Sequence, residues 1–200
     1  NKYLVPLKDY VLVRQNLSSV KIDKGDYDIN QLSKVVSDTN TILEIVKSSK
    51  EYIDVAKKVI VFAVDINHAE LLAQGFLKEG YISKALHSKN DEDEIEVIED
   101  FKRGYIKILV SVLKLTTGFD VKDTDLAIIA RPTKSQNLYK QMVGRVLRKA
   151  EGKKYAVLLD CGNVIEELGS PLDPINIIEE NKPDKNTMHC EECRSENIRL

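Results

Sequence analysis

The segment VIVFAVDINHAELLAQGFLKEGYISKALHS, residues 59–88, contains two apolar runs with a helical pattern between them. The first run, residues 59–64, is almost continuous in apolar and β-branched side chains, which is typical of a parallel strand covered on both faces. The next residues carry apolar side chains at helical spacing, and Gly80 marks the end of that helix. The segment therefore predicts a strand–helix–strand unit with a right-handed crossover.

The same alternation continues along the chain. Further apolar runs are IKILV from Ile106, LAIIA from Leu126 and YAVLL from Tyr155, and a helical pattern over 91–103 precedes the first of them. Two more helical patterns, NQLSKVV and ILEIVKSSKEYI, lie in the first 55 residues and are expected to cover one face. The pattern predicts an α/β fold, a doubly wound and mainly parallel sheet with helices on both faces.

Length and composition predict one sizeable intracellular domain with an extension. The 200 residues are 42% apolar, which is enough to fill a core. No apolar stretch reaches the roughly 18 residues of a membrane span, and the first residues do not have the layout of a signal peptide. Three cysteines, an odd number, argue against a disulfide framework.

A local excess of positive charge is hidden in the net charge of −2. Residues 131–154 carry eight lysines and arginines against the single acid Glu151, whereas residues 91–100 carry seven acids and no base. An anion is one explanation of the basic stretch, and an ordinary solvated surface is the other.

Polar residues follow each predicted strand, where open α/β sheets bind their ligands. They are Asp65 to His68, His87 with Ser88, the segment SVLKLTTGFD from Ser111, and RPTKS from Arg131. Polar residues end many strands, so each of them alone is uninformative. Their joint placement predicts a ligand site at this edge.

The segment QMVGRVLRKAEGK, residues 141–153, predicts a helix with a basic face. At ~100° per residue, Gln141, Arg145 and Arg148 share one polar stripe beside an apolar face. Gly144 lies inside that helix, where it costs roughly 1 kcal/mol relative to alanine, so the close approach of another surface is expected there. A solvated helix with surface arginines is the alternative.

The segment ILVSVLKLTTGFDVKDTDLAIIARPTKSQNLYKQMVGRVLR, residues 108–148, resembles motifs V and VI of the second RecA-like domain of superfamily 2 helicases. GFD is similar to the Gly-x-Asp of motif V, and QMVGRVLR to the Gln-x-x-Gly-Arg-x-x-Arg of motif VI. VIVFAVDINHAELLAQGF resembles motif IV. The trailing LLDCGNVIEELGSPLDP and a cysteine pair point to the RadD-type group of bacterial and phage helicases.

The resemblance implies a role for each matching residue. Arg148 corresponds to the arginine finger on the γ-phosphate of ATP, Arg145 to a second phosphate-contacting arginine, and Gln141 to a nucleotide contact. Gly118 and Asp120 correspond to the motif that touches ribose, and Gly144 lies within the nucleotide-binding motif.

The resemblance also implies contacts with nucleic acid, with DNA expected more than RNA. Ser111 stands where many relatives have a backbone-contacting threonine, and Thr117, Lys134 and His87 are further candidates. The expected location is the cytoplasm, in the nucleoid or an infected host cell.

Half of the expected ATP site is absent from this sequence. It contains no Gly-x-x-x-x-Gly-Lys-Ser/Thr loop and no Asp-Glu-x-x box. Binding of ATP with Mg²⁺ is therefore expected mainly on a first RecA-like domain, in the same or another chain, and this chain alone is expected to be inactive.

Cys190 and Cys193 form half of a zinc-ribbon ligand set, whereas a structural zinc site needs four ligands. Zinc is expected in the intact protein rather than in this chain, and the alternative is a tail with two free thiols. The expected domains are a leading segment 1–57 packed on the motor domain, the RecA-like domain 58–165, and a linker with the tail, 166–200.

Two other functions are compatible with the residues alone. One is a non-catalytic nucleic-acid or protein interaction module that keeps the RecA-like fold. The other is a small-molecule enzyme of flavodoxin-like topology, which would need a cofactor loop that the sequence does not show.

Overall fold

The computed structural model describes residues 4–87, 94–112 and 121–171, and the backbone of residues 187–189 and 196–198. Strands and helices alternate through most of it. The strands are β1 (Leu7–Val11), β2 (Ile22–Asp23), β3 (Asp26–Tyr27), β4 (Val59–Phe62), β5 (Ser83–Leu86), β6 (Ile108–Ser111), β7 (Leu126–Ile129), β8 (Ala156–Asp160), β9 (Thr187–His189) and β10 (Glu196–Ile198).

The helices of the described residues connect these strands. They are α1 (Ile29–Val36), α2 (Thr39–Val55), α3 (Ile66–Lys78), α4 (Glu94–Arg103), α5 (Gln136–Val146) and α6 (Val164–Leu168). None of them has the length and apolar composition needed to cross a membrane.

Six strands form one parallel sheet in the order β1-β8-β7-β4-β6-β5. In its centre Val61 of β4 is in register with Val110 on one side and Ile128 on the other. All five strands predicted from the apolar runs are present, and the predicted doubly wound parallel sheet is confirmed.

The two faces of the sheet bury separate apolar clusters. On one face, Val59 and Val61 of β4 pack with α2 and α3. On the other face, Ile60 and Phe62 of the same strand pack with α4 and α5. Successive side chains of a strand point to opposite faces, so four apolar residues in a row serve both clusters.

The first 30 residues contain an edge strand that is not among the strands predicted from the apolar runs. β1 pairs only with β8, and Tyr10 and Val11 are exposed. An edge strand has solvent on one side, and LKDYV therefore lacks the continuous apolar character that identifies the central strands.

The short hairpin β2–β3 and helix α1 lie at the carboxyl edge of the sheet. Lys24 and Gly25 form the hairpin turn with positive φ angles of 49° and 86°. Tyr27 and Leu32 pack in a small cluster with Val64, which is the second residue after β4. This part of the chain covers some of the polar residues that follow the strands.

Candidate functional site

Helix α5 carries part of the predicted basic face. It begins after Ser135, whose hydroxyl accepts a hydrogen bond from the Leu138 N–H at 3.3 Å, and it ends at Val146. Gln141 is exposed and Arg145 is half-buried. Both side chains therefore stand on the helix, as predicted.

Arg148 lies outside the helix, so the prediction of one stripe shared by all three residues is wrong. The chain leaves the helical path because other groups take the last carbonyls: the Val5 N–H donates to the Leu147 carbonyl at 2.9 Å. Arg148 itself forms an isolated antiparallel bridge with Leu4. We refer to residues 145–148 as the arginine segment.

The arginine segment lies at the end of the sheet where the strands begin, opposite the carboxyl edge at which the ligand site is predicted. α5 returns across the sheet, so its last turn is level with the beginnings of the strands. Val5, which contacts Leu147, lies just before β1, and Thr124, which shares the Lys153 ammonium with Val146, lies just before β7. The arginines are therefore separated from the polar residues of the carboxyl edge.

Lys153, one of the eight basic residues of the stretch 131–154, is a further candidate, and the sequence does not predict its position. Its ammonium donates to the carbonyls of Val146 at 2.6 Å, Arg148 at 3.0 Å and Lys122 at 3.1 Å, and to that of Thr124. Burial lowers the pKa of Lys153 to about 8, against the weaker opposing effect of Asp125 and Asp123. The local sequence does not predict these partners, because Lys122 and Thr124 lie 31 and 29 residues before Lys153 in the chain.

Gly144 has no neighbour that explains it within the described chain. A Cβ atom placed there would meet nothing within 4 Å, apart from the helix's own backbone. The expected close approach of another surface is thus not made by a described part of this chain. As far as the described residues go, the space beside Gly144 is unoccupied.

Ser111 and His87, two candidate nucleic-acid contacts, are both buried at the carboxyl edge. Ser111 ends β6 with 0% exposure, and its hydroxyl has no hydrogen-bond partner among the described residues. His87 is 6% exposed, and its Nε2 lies 2.8 Å from Glu70 Oε1 of α3. The strand alternation directs the two side chains to opposite faces of the sheet.

Lys134 is the accessible candidate at this edge, and its ammonium already has partners. It pairs with Glu167 Oε2 at 2.5 Å and stands 5.3 Å from the centre of the Tyr27 ring. The bond to Glu167 raises the pKa of Lys134. Asp26 anchors the same loop by accepting hydrogen bonds from the Lys134 N–H and the Thr133 hydroxyl.

Two other residues of this edge have internal roles. Arg131 is only 5% exposed and donates from Nη1 to the Val64 carbonyl at 2.8 Å, so it does not belong to a basic surface. Asp65 caps α3 by accepting from the His68 N–H. Burial lowers the pKa of His68 to about 4.

Several predicted site residues lie outside the described residues. They are Gly118, Asp120 and Thr117 of the predicted motif V, and the predicted zinc ligands Cys190 and Cys193. Among the residues that the structure describes, no group of three or more His, Cys, Asp or Glu side chains could hold a metal ion.

Comparison with known proteins identifies the family. The model of the helicase conserved C-terminal domain matches residues 40–150. A 51.5 kDa protein of a Lactococcus phage (isolate 7-9) is 31% identical over 168 residues, which are 80% of this chain and 35% of that protein. The protein irc3 of Schizosaccharomyces pombe is named as a mitochondrial ATP-dependent helicase. It is 30% identical to this chain over 84% of this chain and 29% of its own length.

The chain thus spans about a third of these two relatives. A solved fragment from Vibrio vulnificus YJ016, described as an HsdR subunit of a type I restriction enzyme, superimposes with a TM-score of 0.66 over 84% of this chain and 34% of that one. At 22% identity this likeness concerns the fold, which is RecA-like. The chain therefore belongs to the helicase conserved C-terminal domain family of superfamily 2.

Proposed function

We propose that this chain is the second motor domain of an ATP-dependent helicase or translocase that acts on DNA. In this proposal, Arg145 and Arg148 contact a nucleotide whose phosphates are held by a first RecA-like domain, in the same or another chain. The observation that carries the proposal is the position of the arginine segment. It comprises the last two residues of α5 and the two residues after them, next to Gly144, where a Cβ atom would meet no described neighbour.

The chemistry of the guanidinium group supports this role. It is planar and charged at every accessible pH, and its N–H donors match phosphate oxygens in pairs. In phosphoryl transfer, negative charge spreads over the oxygens of the transferred group, and a positioned arginine stabilises it. ATP would bring Mg²⁺, which neutralises phosphate charge when bound, and we assign their binding to the first domain.

The other nucleotide contacts are proposed from the resemblance and from exposure. Gln141 is exposed on α5 one turn before Arg145, and we assign to it the sensing of the nucleotide across the domain interface. Gly118 and Asp120 are assigned to the ribose, and Thr117 and Ser111 to the nucleic-acid backbone. Because Ser111 is buried, its hydroxyl requires a movement of neighbouring residues to reach a ligand.

Reconstitution of the two domains tests the proposal. The purified chain is expected to release no phosphate from ATP above the buffer rate. Addition of the first domain is expected to produce hydrolysis that single-stranded DNA stimulates more than RNA of the same sequence. The measurement is steady-state phosphate release, with the first domain alone as the control.

Three outcomes would contradict the proposal or part of it. Robust hydrolysis by the chain alone would show that it holds a complete ATP site. Nucleic-acid binding without any hydrolysis in the reconstituted pair would instead favour an interaction module. Stronger stimulation by RNA would change the assigned substrate from DNA to RNA.

The pair Lys134–Glu167 predicts opposite effects of two substitutions on nucleic-acid binding. Lys134→Met is expected to weaken binding and to reduce the slope of log K against log salt by about 1, because one phosphate contact is lost. Glu167→Gln is expected to tighten binding a few-fold, because the carboxylate no longer competes with phosphate for the ammonium.

Fluorescence anisotropy across a salt series measures both effects, and Lys140→Met is the matched control. Lys140 is exposed on α5 and lies outside the loop that Asp26 anchors. If Lys134→Met and Lys140→Met change the slope equally, Lys134 makes no specific phosphate contact.

A further inference from the structure

The Lys153 ammonium joins two segments that are distant in the sequence. On one side lie the carbonyls of Val146 and Arg148, at the end of α5. On the other lie the carbonyls of Lys122 and Thr124, in the loop 121–125. The last carbonyls of a helix have no partner within the helix, and a lysine ammonium has the favourable charge and three N–H donors for them. Because four carbonyls lie within hydrogen-bond distance, at least one donor is shared between two of them.

The loop 121–125 is itself fixed to the sheet. The Asp125 carboxylate accepts hydrogen bonds from the Lys57 N–H at 3.0 Å and the Lys58 N–H at 3.1 Å, just before β4. Asp123 pairs with the Lys58 ammonium at 2.6 Å, and Val121 is buried in the cluster beside α5. Lys153 therefore attaches the arginine segment to a firmly held part of the domain.

We propose that Lys153 is a positioning residue for Arg145 and Arg148: its ammonium fixes the backbone of the arginine segment against loop 121–125. This role rests on the proposed function of the arginines. In the sequence the loop comes directly after the predicted motif V, and the ammonium joins this loop to the end of the predicted motif VI. A displacement of about 1 Å at a catalytic group is enough to reduce a rate by about 100-fold, which is why such a clamp matters.

Limited proteolysis of the chain tests the clamp independently of ATP hydrolysis. Lys153→Met removes the ammonium and keeps a long side chain, and Lys154→Met is the matched control at an exposed neighbour. Trypsin cleavage after Arg148 and Lys149 is expected to become about tenfold faster in Lys153→Met, because cleavage follows the population of the locally open state. Cleavage of Lys154→Met is expected to match the wild type.

A double-substitution cycle in the reconstituted two-domain protein tests the role of the clamp. Lys153→Met is expected to lower kcat for ATP hydrolysis about tenfold, with little change in KM for ATP. In protein that already carries both Arg145→Ala and Arg148→Ala, Lys153→Met is expected to have no further effect on kcat, because it acts through those two arginines. A merely structural defect would lower kcat in both backgrounds.

The outcomes separate this inference from the proposed function. Unchanged cleavage in Lys153→Met, or faster cleavage with unchanged kcat, would overturn the positioning role while leaving the arginine finger intact. If Arg148→Ala itself keeps full kcat, the proposed function and the positioning role both fail. Should Lys153→Met fold poorly by circular dichroism, Lys153→Leu, which also removes every N–H donor, takes its place in the same comparisons.

Discussion

Replacement of Arg148 by alanine is expected to lower kcat for ATP hydrolysis by about 10³-fold in the reconstituted two-domain protein. The guanidinium group would stabilise charge that develops only in the transition state, so kcat and kcat/KM should fall together while KM changes little. The measurement is steady-state phosphate release over a range of ATP concentrations.

Two further variants identify the cause of that loss. Arg148→Lys keeps the charge but loses the paired N–H donors, and it is expected to recover only a small part of the rate. Lys149→Ala, at the exposed next residue, is expected to keep the wild-type rate. Arg148 forms its bridge with Leu4 and accepts the hydrogen bond from Lys153 through main-chain atoms. Both contacts are therefore retained in Arg148→Ala.

An equal loss of kcat in Arg148→Ala and Lys149→Ala would refute a specific contact of Arg148 with the nucleotide. Urea denaturation provides the folding control. The free energy of unfolding of Arg148→Ala is expected to stay within about 1 kcal/mol of the wild type, since the replaced side chain is half-buried at the surface.

Gly162→Ala is expected to destabilise the chain by about 2–3 kcal/mol. A Cβ atom at residue 162 would stand 2.9 Å from both the Arg131 carbonyl carbon and the Pro132 nitrogen. These are backbone atoms of the segment that follows β7, and they cannot turn away as a flexible side chain could. The Gly162 N–H also donates to Asp160 Oδ1 at 2.8 Å, which holds the residue in place.

Gly144→Ala is the matched control for this prediction, because it adds the same methyl group in open space. It is expected to stabilise α5 by about 0.5–1 kcal/mol, the usual advantage of alanine over glycine inside a helix. Urea denaturation of both variants measures the contrast. Equal unfolding free energies for the two variants would contradict the close backbone contact at Gly162.

Much of the fold could be predicted from the sequence, and the exceptions have a physical cause. The central strands are recognisable because both of their faces are buried, which requires runs such as VIVF of β4. The strand β1 is not recognisable, since it lies at an edge where Tyr10 and Val11 face solvent. Local side-chain patterns report burial, and an edge strand has little of it.

The candidate site could likewise be predicted from the sequence only in part. Gln141, Arg145 and Arg148 can be selected from their spacing and resemblance, but the helical period does not show where the helix stops. That end depends on Val5 and Lys153, which bind the last carbonyls from other parts of the chain. Likewise, the sequence does not show that the His87 side chain is buried, with its Nε2 2.8 Å from Glu70 Oε1 of α3.

The sequence by itself determined the parallel α/β architecture and the residues that relate this chain to its family, because both are written in local patterns of apolar and charged side chains. Only the tertiary structure decided that α5 ends at Val146, within the arginine segment and away from the carboxyl edge. It also decided that the Lys153 ammonium binds the carbonyls of Val146 and Arg148. These features arise from hydrogen bonds between residues far apart in the chain, such as Lys153 with Lys122, and local spacing carries no information about such partners.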